Sequence, residues 1–87
     1  MSAKHDVARF NARLATIETT LEACRKLTVQ ADLNPGLRKC VTEAMEKACS
    51  ILGSASENYL KGEKTDKALD GAQICAEFAH GLLGIVA

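Results

Sequence analysis

Apolar residues recur along the first third of the chain in alternating steps of three and four: Val7, Phe10, Leu14, Ile17, Leu21, Cys24, Thr28 and Ala31. Residues at that spacing stack on one side of a helix, so the seam predicts an amphipathic helix over about residues 4–31. It is unbroken for nearly four heptads, the pattern of a coiled-coil strand. Arg9, Arg13, Glu18, Glu22 and Lys26 fall off the seam, where side chains meet water. At ~1.5 Å rise per residue the helix is roughly 40 Å long.

The stretch "DLNPG" stops it. Asn34 followed by Pro35 has the form of an N-cap with proline in the first helical position, where a missing N–H costs little. A second helix is predicted over about 35–61, with Leu37, Val41, Ala44, Ala48, Ile51, Leu52, Ala55 and Tyr59 as its seam and Met45 and Cys49 widening it. Gly62 suits the left-handed turn in which many helices end. Within this helix "GSAS" at 53–56 is the weak point, because glycine lowers helix propensity by ~1 kcal/mol against alanine. Its small residues predict a close helix crossing there rather than a break.

After "GEKTDK", with Thr65 as N-cap, a third helix is predicted over about 66–85. Asp66 and Asp70 suit the positive end of its dipole. Ala68, Ala72, Cys75, Ala79, Leu82 and Val86 form one apolar stripe; Ile74, Phe78 and Ile85 form another; Ala76 and Leu83 add to both. Only Gln73, Glu77, His80 and Gly84 make a polar line. So wide an apolar surface exceeds what two neighbours need from a surface helix. Either a second copy or another protein covers the excess, or this helix is central to its own bundle; the economical reading is a homodimer. The residues expected at such an interface are Phe78, Leu82, Leu83, Ile85 and Val86. Four acid-first pairs four residues apart, Glu22–Lys26, Glu43–Lys47, Glu57–Lys61 and Glu63–Lys67, give modest further support to the helices.

The fold class is therefore all-α: one domain over 1–87, three long antiparallel helices joined by short connections in an up-down-up bundle, completed by oligomerisation. That order sets Phe10 level with Tyr59.

Composition narrows the function. Eleven basic and eleven acidic residues cancel, which argues against a nucleic-acid binder, whose affinity comes largely from a basic face. The only aromatics are Phe10, Tyr59 and Phe78, too few for a base-stacking platform. The opening "MSAKHDVARF" has no apolar signal core, and no run approaches the ~20 apolar residues of a membrane span. The expected compartment is the cytoplasm, with the four cysteines reduced.

Chemistry-bearing constellations are sparse. Glu77 and His80 have E-x-x-H spacing, which places a carboxylate and an imidazole on one helical face, as in di-iron four-helix proteins. Those proteins bring further inward glutamates, which this sequence lacks; a symmetric dimer would supply a second Glu77 and His80 instead. A di-iron or ferritin-like centre at a dimer interface is thus the alternative function. The cysteines show neither C-x-x-C nor zinc-type spacing, and Cys40 and Cys49 point to opposite sides of their helix. Cys24 and Cys75 occupy core-type positions, which leaves Cys40 as the exposed thiol. "GLLG" lacks the Lys and Ser/Thr of a phosphate loop. With no nucleophile–base arrangement, the chain does not read as an enzyme and implies no cofactor. The function expected is a small protein–protein interaction module (a chaperone, a regulator or inhibitor, or a structural subunit) acting chiefly through its third helix.

Overall fold

A computed structural model describes residues 3–30 and 32–86, with side-chain surroundings for 7–30 and 32–85. Three helices pack together: α1 (Ala3–Gln30), α2 (Pro35–Leu60) and α3 (Asp66–Val86), with no strand among the described residues. The particle measures 47 × 17 × 15 Å, so its length is set by the helices themselves. The expected end of the first helix at Ala31 lies outside the described residues.

The connections follow their local chemistry. The Asn34 side chain accepts a 2.8 Å hydrogen bond from the Leu37 amide, and Pro35 opens α2. At the other end Gly62 takes φ +79°, and the amides of Gly62 and Glu63 donate to the carbonyls of Tyr59 (3.0 Å) and Asn58 (2.9 Å). This pair of bonds is a Schellman motif, which satisfies carbonyls that a helix end leaves free. The Thr65 carbonyl accepts the first bond of α3, from the Leu69 amide. Gly53 breaks nothing: α2 runs through it.

The α1 seam is legible in the burial. Phe10, Ile17, Leu21 and Cys24 are buried, Leu14 and Thr28 half-buried, and Val7 is exposed. Thr28 fits an apolar seam because its hydroxyl donates to the Cys24 carbonyl at 2.6 Å, which spends the polar group locally. The Phe10 and Tyr59 rings stack with centroids 4.2 Å apart. Such pairs add about 0.5–1.5 kcal/mol beyond area burial.

The core divides into two clusters along the bundle. One gathers Phe10, Ile17 and Leu21 with Ala48, Leu52, Ala55, Leu69, Ala72 and Ala76. The other holds Cys24, Val41, Ala79 and Leu83, sealed by Leu33 from the α1–α2 connection. The alanines Ala48, Ala55, Ala72, Ala76 and Ala79 are fully buried, and their short side chains let the α2 and α3 backbones approach.

Three expectations are corrected here. Of the small residues at 53–56, Ala55 is fully buried in the core, whereas Gly53 takes no part: it is exposed, with no neighbouring atom within 4 Å of an added Cβ. Cys49 does not widen the α2 seam; it is exposed. Glu22 pairs with Arg25 at 3.1 Å rather than with Lys26, the i,i+3 neighbour capturing the carboxylate.

Helix α3 is the organising element. It packs along α2 and also along α1, whereas α1 and α2 meet at fewer positions, the Phe10–Tyr59 stack among them. Its width of apolar surface is thus partly explained by its central place. Its core face is Leu69, Ala72, Ala76, Ala79 and Leu83, with Ala68, Cys75 and Leu82 half-buried at the edge. That face is turned by about 60° from the stripe expected from the sequence, at the ~100° per residue of a helix.

Candidate interaction surface

At 100° per residue, Ile74, Phe78, Gly81 and Ile85 fall within about 60° of arc, on the side of α3 directly away from Ala76. Their burial agrees. Ala76 is fully buried, while Ile74 is 67%, Phe78 57% and Ile85 82% exposed, and Gly81 is open. Scattered exposed apolar residues are ordinary on any protein. Three large ones in a line on one helix are not, and with Gly81 they make a continuous strip about 16 Å long. Leu82 borders it on one side, half-buried.

Of the interface residues expected from the sequence, Phe78 and Ile85 lie on this strip and Leu82 at its edge. Leu83 is a correction: it is fully buried in the second core cluster and offers no surface to a partner. The Val86 side chain lies outside the described residues. Ile74, which the sequence places on the same stripe as Phe78 and Ile85, joins the candidate residues on the strength of its exposure.

The polar line runs along one flank. Arg13 donates to the Gln73 side-chain oxygen at 3.1 Å, and Gln73 donates onward to Glu77 Oε1 at 3.1 Å. The same guanidinium donates to Asp70 at 2.7 Å and lies 3.9 Å from Asp66, which Arg9 also meets at 3.4 Å. These contacts tie the beginning of α1 to the beginning of α3, where acidic groups also suit the helix dipole. Because the carboxylates are more than half exposed, each pair adds only a fraction of a kcal/mol.

Glu77 and His80 are both exposed on this flank. Glu77 already accepts from Gln73. No group of three or more His, Cys, Asp or Glu side chains suited to a metal occurs among the described residues.

Two concave regions complete the surface. A furrow between α1 and α2 is lined by Glu18, Leu21, Glu22, Arg25, Cys49 and Leu52. Arg25 reaches across it to within 3.9 Å of the Cys49 sulfur. The second hollow lies at the bundle end beside Phe10, Tyr59, Glu63 and Asp66. Its guanidinium groups, Arg9 and Arg13, are taken up by Asp66 and Asp70.

Sequence reasoning missed Leu33 and Leu69, both buried, and underrated Cys49 as an exposed thiol. Among the described residues no helix is long and apolar enough to cross a membrane. No family model matches the chain, and no curated protein and no solved structure is significantly similar to it.

Proposed function

We infer that this chain is a small helical protein–protein interaction module whose working surface is the outer strip of α3, and that it serves as a chaperone, a regulator or inhibitor, or a structural subunit rather than as an enzyme. The observation that carries this reading is the alignment of Ile74, Phe78 and Ile85, each more than half exposed, on the face turned away from the core. Their uncovered surface amounts to about two whole side chains. At ~2 kcal/mol for each large apolar side chain buried, a partner gains roughly 4 kcal/mol from this strip alone. An up-down-up helix order supports the reading by holding the strip on a rigid element. It is favoured by the Phe10–Tyr59 stack and by the pairing of Arg13 with Asp70. The cytoplasm, where such helical modules meet their partners, remains the compartment proposed.

Site-specific photo-crosslinking tests it. A photoreactive amino acid in place of Phe78, introduced in the cells that make the protein, is expected to yield an adduct of discrete mass. The same group at exposed Glu46 on α2 is expected to yield none. Loss of the adduct on adding Ile74→Glu and Ile85→Glu assigns it to the strip. Equal labelling from both positions, or none from either, overturns the reading.

A further inference from the structure

The strip has an internal symmetry. Its four positions, 74, 78, 81 and 85, are separated by steps of four, three and four, so the spacing reads the same in both directions. Its contents are not symmetric in size. The bulkiest residue, Phe78, and the smallest, Gly81, occupy the two inner positions. Gly81 is open, with no atom within 4 Å of where a Cβ would stand.

We propose that the strip is covered by the same strip of a second copy, with the two α3 helices antiparallel and Phe78 of each chain seated over Gly81 of the other. The proposal rests on the interaction surface argued above and names its occupant.

Reversing one helix against the other sets position 74 opposite 85 and position 78 opposite 81. Isoleucine then meets isoleucine, and the phenyl ring enters the gap that glycine leaves. A parallel pairing sets like against like: two rings collide at one level and two glycines leave a void at the next. Both faults are penalised in close-packed contacts. Antiparallel pairing about a twofold axis is also an isologous contact, which closes at two copies instead of propagating. No charged side chain lies between Ile74 and Ile85 on the strip, so none is desolvated at its centre. A second copy covers two strips at once, which doubles the apolar surface removed from water and brings it to the scale that association costs. A partner without its own apolar strip gains half as much.

Gly84 provides a matched control. It too is an exposed glycine of α3 with no atom within 4 Å of an added Cβ, but it lies on the polar flank. Sedimentation equilibrium on the purified chain, from low micromolar to about 1 mM, compares wild type, Gly81→Leu, Gly84→Leu and the swap Phe78→Gly with Gly81→Phe. Circular dichroism establishes that each is helical, and both leucine variants raise helix propensity. Wild type is expected to pass from monomer to dimer. Gly81→Leu is expected to weaken the dimer at least tenfold, Gly84→Leu to leave it within a factor of two, and the swap to recover most of the loss. If Gly81→Leu and Gly84→Leu behave alike, or Gly81→Leu tightens the dimer, the Phe78–Gly81 register is wrong. A wild type still monomeric at 1 mM overturns the second copy as occupant. Because the crosslinking experiment reads contact with any protein, its outcome separates that failure from failure of the surface itself.

Discussion

Replacing Gly53 by alanine sets two physical accounts of α2 against each other, and they differ in sign. If Gly53 were the point of a close helix crossing, an added methyl would force the backbones apart and cost about 1–3 kcal/mol. In the fold described here Gly53 is exposed, lies inside a continuous helix, and has no atom within 4 Å of the new Cβ. The substitution then removes only the entropic penalty of glycine in a helix, so the fold gains about 0.8–1 kcal/mol. With a urea m-value near ~1–1.5 kcal/mol/M for a chain this small, the midpoint rises by about 0.6–1 M. The thermal midpoint rises by about 4–8 °C. Urea unfolding followed by helical circular dichroism at one fixed protein concentration is the assay, so that any dependence of stability on concentration cancels between the variants. An unchanged m-value is needed for the shift to count as stability. A midpoint lowered by the alanine refutes the reasoning and restores the close crossing at Gly53.

The opposite result is expected at Gly62, whose φ of +79° lies in the left-handed region. Gly62→Ala strains the Schellman turn and is expected to cost about 1 kcal/mol in the same urea experiment; a neutral result would show that the turn reorganises freely. The cysteines supply a third test. Burial pushes the Cys24 thiol above its ordinary range, with Arg25 pulling more weakly the other way. The folded chain therefore keeps this proton where the unfolded chain loses it. Its stability contribution is whole below pH 9 and falls as pH rises through the folded value. Relative to Cys24→Ala, wild type is expected to lose stability as pH rises above about 9; parallel pH profiles would show that ionising Cys24 is not coupled to unfolding. In the native protein an aromatic disulfide reagent is expected to modify exposed Cys40 and Cys49 quickly and Cys24 only on unfolding.

What could be read from the sequence, and what could not, follows from side-chain size. The α1 seam is spaced by Phe10, Ile17 and Leu21, large residues that burial rewards strongly, with polar residues between them. The caps were equally plain, because Asn34, Pro35 and Gly62 each have a stereochemical reason to stand at a helix end. The phase of α3 was not legible. Alanines at 68, 72, 76 and 79 share one side of the helix but, being small, do not outweigh the larger residues opposite and so do not declare that side inward. Two stripes remain, one on the side of Ala68, Ala72, Cys75, Ala79 and Leu82 and the other with Ile74, Phe78 and Ile85. Periodicity finds both without ranking them. Only the positions of α1 and α2 decide that the first is core, and this moves Leu83 from candidate interface to interior. The same decision leaves Phe78 and Ile85 outside and adds Ile74. Leu33 was invisible for a different reason: it lies in a connection, where no period marks a buried residue. Glu77 and His80 were found as a spacing, but their role turns on what stands across from them, which one chain's sequence does not encode.

The central place of α3 has a consequence for how the protein comes into being. Since α1 and α2 meet at few positions, the Phe10–Tyr59 stack among them, a nascent chain that has delivered only those two still lacks Leu69, Ala72, Ala76, Ala79 and Leu83, which complete both core clusters. Their apolar seams stay bare until residues 66–86 follow. At about 5–20 residues per second of synthesis, that interval is on the order of a few seconds. The element made after these two, α3, is thus the one that completes the core, and arrest before it leaves two apolar helix faces available to whatever holds nascent chains. Closing the core of this molecule therefore waits for its third helix, which contributes to both clusters.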